Sequence, residues 1–378
     1  MTAYRFLQPL DVLFLRGNKL FGDPGSFGES LVPPWPSAAA GAVRSWMLAA
    51  DGVAPAAFAR GEVQHPSLGT PAAPGDFRMT AFHVARQSES GALELLLEPP
   101  ADLILSRDDN AALRLCALAP QPLPVALAAS APLPWLPILG EAQRRKPVAG
   151  YWLTQKAFAD YLQGRLPAAQ DLVSSGELWK VDARIGIGLD PLQRRADDGK
   201  LFSTQAVAFR PEIGFLVGID NAQPPAAGTL RLGGDGRAAA VRTIAFDPPT
   251  PDLSEIAAAG RCRLVLTSPA IFADGWCLPG VGADGRFSLG DVRGRLISAA
   301  VPRAQIVSGW DLASSKPKPA QRAAPSGSVY WLDQLEATPD ALGKLAADGL
   351  WADSCEYPQR RAEGFNRFTF AVWSEPNA

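Results

Sequence analysis

The sequence has 378 residues, 47% of them hydrophobic and 20% charged, with a formal net charge of −2 from 36 basic and 38 acidic residues. That length fits two or three domains or one elaborated domain, and the apolar share is ample for a core. The balanced charge argues against a freestanding nucleic-acid binder, which carries a clear basic excess, but it leaves room for a local basic groove inside a larger assembly.

Gly and Pro, at 35 each, foretell many irregular connections and a modest helix share. Of the 36 basic residues 8 are Lys and the other 28 are Arg. Arg suits phosphate forks and stacking on bases. A GC-rich coding bias explains the excess more simply, because Ala, Gly and Pro are high too. Cys116, Cys262, Cys277 and Cys355 are scattered with no CxxC pair, so neither a zinc site nor a redox dithiol is indicated. The N-terminal "MTAYRFLQPLD" lacks a basic segment followed by an apolar one, so no signal peptide is expected. The uncharged stretch Leu115–Gly140 holds six prolines, which rules against a membrane helix. A cytoplasmic, reduced, soluble protein is the expectation.

In chain order, "YRFLQPLDVLFLR" reads as a first strand. A long glycine-rich crossover, "RGNKLFGDPGSFG", follows. Ser37 then caps a helix that runs to about Ala50, with Gly52 closing it and Val43 and Trp46 facing the sheet. Residues 53–140 are Ala/Pro-rich and read as an insertion with short strands at "ALELLLE" and "ADLIL"; its limits extend to about 180. "TQKAFADYLQG" is helical in period. "GELWKVDARIGIGLD" and "GKLFSTQAVAFRPEIGFLVGID" read as strands, the second containing a hairpin that turns near Pro211 and Gly214. "GTLRLGGDGRAAAVRTIAF" holds another turn between strands. From about residue 256 come a strand at "RCRLVLTSPAIF", a strand at "GRLISAAVPRAQIVSGW", a loop and strand at "APSGSVYWLDQL", a capped helix at "TPDALGKLAADGL" and a strand at "GFNRFTFAVW". This β–ββ–α–β order is most of a split βαβ, ferredoxin-like unit, and the N-terminal half without its insertion gives β–α–ββ–β. The expected class is α+β: two tandem ferredoxin-like domains, 1–255 with the insertion and 256–378.

The chemistry-bearing motifs are sparse. "GVGADG" (Gly280, Gly282, Gly285) matches GxGxxG, but Pro279 precedes it and no helix follows, so a dinucleotide site is not expected. The two histidines, His65 in a Pro/Gly loop and His83 in "TAFHVAR", lack partners at metal or triad spacing and read as structural or solvent-facing. Asp197 and Asp198 lie in the charged stretch "RRADDGK" and read as a solvated turn. No catalytic residue, metal or cofactor is expected. What remains is four Gly/Ser loops with cations at strand ends: "RGNKLFGDPGSFG", "RIGIGLDPLQRRADDGK", "RLGGDGR" and "KPKPAQRAAPSGS". Backbone amides of such loops cradle phosphates, and neighbouring cations neutralise them. One such loop is a plain turn. Four in one chain, with Phe21, Phe27 and Phe202 nearby for stacking, point to single-stranded RNA.

At these loops the sequence resembles the third subunit of the Cmr effector of type III-B CRISPR systems, a RAMP-superfamily protein. The matching pieces are "FLQPLDVLFLRGNKLFG", "PPWPSAAAGAVRS", "RIGIGLD…GKLFSTQAVAFR", "LGGDGRAA", "RAAPSGSVYW" and "GFNRFTF". They span the chain in the expected order, whereas 53–140 carries little of the likeness. The resemblance implies two ferredoxin-like folds and no catalysis. It implies a subunit that caps the 5′ repeat-derived tag of the crRNA and bridges the large polymerase-like subunit to the backbone RAMP subunit, touching target RNA only indirectly. It further implies a loop or β-hairpin "thumb" that presses on the guide near the tag–spacer junction.

Carried onto this sequence, Arg16 and Lys19 contact tag phosphates, and Ser37 and Arg44 offer an anion site at the first helix. Arg184, Arg194, Arg195 and Lys200 flank the thumb, and Gly233, Gly234 and Arg237 form a second turn. Lys316, Lys318 and Arg322, with Ser326, Gly327 and Ser328, wrap the RNA from the second domain. Each Arg also reads as a surface ion pair, Arg44 with Asp51 above all. Asp235 stands where the family commonly has Glu, and the Pro-rich stretch 119–137 lies outside the likeness. The rival reading is a metal-independent endoribonuclease that processes repeat RNA, which two histidines disfavour; a third is an α+β protein whose loops only connect strands.

Overall fold

The computed structural model describes residues 2–17, 27–124, 127, 133–141, 143–190, 192–311, 316–351 and 357–374. The first half contributes β1 (Ala3–Pro9), α1 (Pro36–Ala50), β2 (Arg78–Gln87), β3 (Leu93–Leu97), β4 (Tyr151–Thr154), α2 (Gln155–Leu162) and β5 (Leu172–Ser174). It continues with β6 (Trp179–Leu189), β7 (Ala196–Phe209), β8 (Ile213–Asp220), β9 (Ala227–Arg231) and β10 (Ala238–Thr243). Eight of these strands form one sheet in the order β9-β10-β1-β8-β2-β3-β4-β5. β6 and β7 form a separate long hairpin, whose returning strand pairs with Phe27–Gly28.

The second half holds β11 (Cys262–Leu266), β12 (Arg286–Leu289), β13 (Val292–Ala300), β14 (Gln305–Val307), β15 (Gln321–Ala323) and β16 (Val329–Glu336). It ends with α3 (Pro339–Asp348), α4 (Pro358–Ala362) and β17 (Phe368–Val372). Its main sheet runs β12-β13-β16-β11-β17, and β14 pairs with β15 alone.

Strand alternation decides what each sheet face covers, since successive side chains point to opposite sides. In β1 and β8, Leu7, Phe215 and Val217 pack under α1 with Val43 and Met47, while Phe6 and Leu216 face the other way. In β11, β16 and β17, Leu264, Tyr330 and Phe370 join a core with Leu342 of α3, while Val265, Trp331 and Ala371 face Phe6 and Leu216. The two sheets therefore share a core across their inner faces. A charged group lies on the same face as Val265. Arg263 donates from Nη1 to Asp102 Oδ2 at 2.8 Å, from Nη2 to the carbonyls of Tyr161 (2.9 Å) and Val372 (3.0 Å), and stacks over the Tyr161 ring at 4.2 Å. Tyr161 donates its hydroxyl to Asp102 Oδ1 at 2.8 Å. All three side chains are buried.

Several expectations change. The first strand stops at Pro9, which has no N–H for the ladder; after a bend the chain makes isolated bridges at Leu13 and Arg16. The cap of α1 is Trp35, with Pro36 at the first helical position, so Ser37 sits one turn position inside and does not cap. The turn near Pro211 exists, but the strands around it part into different sheets, because β7 pairs with β6 and β8 pairs with β1 and β2. Within the segment read as an insertion, β2, β3, β4 and β5 all lie in the large sheet, and β2 pairs with β8 at its centre. The described ends of the Pro-rich stretch lie in a three-stranded sheet of Leu103–Arg107, Leu113–Pro122 and Trp135–Leu139, which meets the second half where Trp135 lies 6.4 Å from Trp373. Among the described residues no helix is long and apolar enough to cross a membrane.

The Arg263–Asp102 pair generates a test. Arg263→Met and Asp102→Leu should each cost about 3–5 kcal/mol in urea unfolding, because each leaves its buried partner charge uncompensated. The double variant should be markedly more stable than the sum of the two losses; additive losses would show that the pair is not coupled.

Candidate nucleic-acid interface

Three loops meet at Phe14. The backbone of Leu13 exchanges both hydrogen bonds with Val207 of β7, at 2.9 Å each, which seats Phe14 at the root of the β6–β7 hairpin. The β9–β10 turn docks from the other side: Gly234 N donates to Phe14 O at 2.9 Å. Gly233 has φ +81°, and a Cβ there would come within 2.7 Å of Phe14 O, so only glycine allows this approach. Two guanidinium groups lie over the buried Phe14 ring, Arg184 from β6 at 5.6 Å and Arg237 from the turn at 5.5 Å. Arg16 stands beside them, 3.6 Å from Asp235. Arg16, Arg184, Gly233, Gly234 and Arg237, far apart in sequence, are thus brought together. Their carboxylate neighbours are Asp235, Asp182 and Asp11 respectively for the three arginines. Exposed pairs of this kind are worth only about 0–1 kcal/mol, so a phosphate can displace the carboxylate at small cost. Lys19 and Phe21 lie outside the described residues, as does the loop around them.

The hairpin has two unlike faces. Val181, Ala183, Ile185, Ile187 and Leu189 line one, and Leu201 stands opposite Ile187. This face is exposed, Ile185 to 78%. The other carries Arg184, and the Phe202 ring lies across Gly186, where a Cβ would meet that ring at 2.3 Å. Lys200 covers Gly188 in the same way and pairs with Asp197 at 2.5 Å. At the tip, Asp190 Oδ1 accepts from Leu192 N and Gln193 N at 2.8 and 3.0 Å, and Arg194 takes φ +52°. Arg194 and Arg195 are exposed there and have no ion-pair partner among the described residues. Asp197 lies in β7, next to its first residue Ala196, rather than in a turn.

The second set is less uniform. Lys316 and Arg322 are exposed, while Lys318 is engaged with the buried Glu363 at 3.1 Å, which Arg360 also holds at 2.9 Å. Ser326 is half-buried, but Gly327 and Ser328 are buried, with Gly327 N bonded to Leu266 O and the Ser328 hydroxyl to Pro325 O. Those two residues spend their donors inside the protein and offer none to a ligand. Arg44 lies over Phe77 at 5.4 Å, and burial lowers its pKa, with the charge of Glu363 opposing. It does not pair with Asp51, which instead holds His65 Nε2 at 2.8 Å. His65 is structural: its Nδ1 accepts from Ser67 N and Leu68 N, both at 3.2 Å. Among the described residues no three His, Cys, Asp or Glu side chains gather as a metal group.

Sequence reasoning passed over a cleft between the two sheets, lined by His83 and Glu98. By sequence His83 reads as structural or solvent-facing, and nothing in "LLLEPPAD" marks Glu98. Burial pushes His83 down to about 4.

The fold and site define a mixed α/β protein of several antiparallel sheets that gathers arginines and glycine turns around one aromatic, beside a two-faced hairpin. The chain is a member of the Cas_Cmr3 family of CRISPR-associated proteins, whose family model matches residues 5–373. That is the third-subunit family of the type III-B Cmr effector. Its fold is similar to a chain in a cryo-EM structure of the type III-B Cmr-beta bound to cognate target RNA and AMPPnP, with TM-score 0.51, 14% identity, and coverage of 98% of this chain and 100% of that one. A second such structure, of the type III-B Cmr-beta bound to cognate target RNA, matches with TM-score 0.51 and 14% identity over 98% of this chain and 97% of that one. No curated protein matches the sequence.

The state of His83 sets a pH dependence. Its pKa falls from the ordinary 6.5 to about 4 on folding. The folded state resists the proton that the unfolded chain accepts, so this stability is complete above pH 6.5 and is lost as pH falls through about 4. His83→Gln should flatten the decline in that window, by up to about 1.4 kcal/mol per pH unit, in urea titrations at stepped pH. A parallel decline in wild type and variant would remove His83 as its source.

Proposed function

We propose that the chain is a non-catalytic subunit of a type III-B effector that holds the 5′ repeat-derived tag of the crRNA. The observation that carries this reading is the convergence of Arg16, Arg184 and Arg237 with the Gly233–Gly234 turn around Phe14. Cations supply attraction along a phosphate backbone, and amide-rich turns admit it at close range. The β6–β7 hairpin serves as the thumb: Arg184, Phe202 and Lys200 face the guide, and Arg194 and Arg195 reach from its tip. Its apolar face suits protein rather than RNA, which fits a subunit standing between the large polymerase-like subunit and the backbone subunit.

We read both halves as ferredoxin-like, with domains dividing near residue 255. The orders β10-β1-β8-β2 and β17-β11-β16-β13 each follow the fourth, first, third and second strands of a split βαβ unit. In the first half only the helix after the first strand is kept, as α1; in the second only the helix before the last strand, as α3. The large insertion then falls between β2 and β8.

Charge reversal tests the RNA reading. Arg16→Glu with Lys19→Glu in the purified effector should lower guide occupancy and reduce the salt slope of guide binding by roughly one for each phosphate no longer neutralised. Unchanged occupancy and slope would refute it.

A further inference from the structure

Where α4 gives way to β17, three arginines gather without an ion pair. The connecting turn crosses the start of β2 so closely that a Cβ on Gly364, which has φ +86°, would come within 2.8 Å of Met79 O. Arg361 lies on α4, and its carbonyl accepts from Gly364 N at 3.2 Å. Arg367 immediately precedes β17, and Arg78 opens β2 next to Met79. Asp220, at the end of β8, is the cross-strand partner of Arg78 and shares its face of the sheet. All four residues are half-buried. Arg367 has a structural duty: Nη1 and Nη2 donate to the carbonyls of Ala347 (2.8 Å) and Ala346 (3.1 Å) in the last turn of α3, where a cation suits the negative end of the helix. No such duty holds Arg78 or Arg361, whose side chains have no hydrogen-bond or ion-pair partner among the described residues. Arg361 Nε, Arg367 Nε and Asp220 Oδ1 are buried atoms without a hydrogen-bond partner. Burial lowers the Arg367 pKa; Asp220 and Asp348 oppose the fall, and Arg78 and Arg361 add to it. Buried polar atoms are nearly always paired, so orphaned donors on two arginines beside an orphaned carboxylate oxygen call for a ligand that brings an anion to the first and a donor to the second.

We propose that this seam binds a phosphorylated ribose, its phosphate against Arg78, Arg361 and Arg367 and a sugar hydroxyl against Asp220. The three guanidinium groups outnumber the two neighbouring carboxylates, and the guanidinium fork is the side chain best matched to phosphate oxygens. Asp220 repels a phosphate but accepts from a hydroxyl, which a ribose carries beside its phosphate. A ligand with a carboxylate alone would leave Asp220 Oδ1 without a donor. The crevice that Gly364 and Arg367 line encloses about 10 Å³. That is room for about one water, so the ligand lies over the seam and not inside it.

The site is separate from the arginines around Phe14 and does not rest on the tag reading. Ile219, next to Asp220, pairs with Ala3 at one end of β1, whereas Pro9 at the other end pairs with Ala239 beside the β9–β10 turn. The length of β1, roughly 20 Å for its 7 residues, lies between the two sets, and they share no residue. The phosphorylated ribose is either a free nucleotide or part of an RNA strand, two sources with the same chemistry.

The test follows the thermal midpoint of the full chain at constant ionic strength. Inorganic phosphate should raise it by about 3 °C or more over chloride and over acetate, because a ligand that binds only the folded state stabilises it. Arg361→Gln and Arg78→Gln should each remove that shift. Uridine 5′-monophosphate and oligouridine without terminal phosphates are then compared with inorganic phosphate at equal phosphate concentration. At least one should raise the midpoint further, by an amount that both Arg361→Gln and Asp220→Ala remove. An advantage of this kind for the monophosphate assigns a free nucleotide, and one for oligouridine assigns an RNA strand; either supports the site. An equal shift in acetate, a shift that survives Arg361→Gln and Arg78→Gln, or no variant-sensitive advantage for either ribose ligand would overturn the site and leave the tag reading, which is tested at Arg16 and Lys19, standing.

Discussion

A guanidinium buried between two sheets constrains this molecule more than any apolar contact. Arg263 lies on the inner face of β11, where a charge without a partner would be intolerable. Asp102 supplies the countercharge, and the carbonyls of Tyr161 and Val372 take the remaining donors. The partners come from a loop, a helix and a strand in different parts of the chain. Hydrophobic burial brings the sheets together without direction, since apolar contact tolerates sliding. The directional bonds of Arg263 then fix how one sheet sits on the other. Such a pair adds little net stability compared with well-packed apolar groups, but its loss on one side is costly. The cleft that holds His83 and Glu98 lies beside this same shared core, so its shape depends on the alignment that Arg263 sets.

The surface follows a different logic, in which backbone approach comes first and charge second. Gly233 is required because Phe14 O lies where its side chain would be, and Gly186 because Phe202 lies across it. Both glycines therefore have packing reasons, and the cations gather because the backbones are drawn close. Arg184 and Arg237 lie over one ring although 53 residues separate them in sequence. The hairpin then separates two kinds of contact by strand alternation alone, cations and an aromatic on one face and aliphatic side chains on the other.

Some of this was legible beforehand. The helices at Pro36–Ala50, Gln155–Leu162 and Pro339–Asp348 were readable from period and caps, and the glycine turn between β9 and β10 from "LGGDGR". The loops carried enough of a pattern to indicate the family. Other readings failed for identifiable reasons. Ser37 looked like a cap, but Pro36 already occupies the first helical position. The strands around Pro211 looked like a hairpin, because adjacency in sequence says nothing about which sheet a strand joins. That β2, within the segment read as an insertion, pairs with β8 along most of its length left no mark in the Ala/Pro-rich composition around it.

The sequence by itself determined the family and most of the local elements, because glycine turns, caps and apolar periodicity are set by neighbouring residues. Which strands share a sheet, which arginines surround Phe14, that Ser328 is closed off, and that Arg263 meets Asp102 were decided only by the tertiary structure. Each depends on residues brought together from distant parts of the chain, where burial and the pairing of polar groups are settled by the whole fold and leave no local pattern to read.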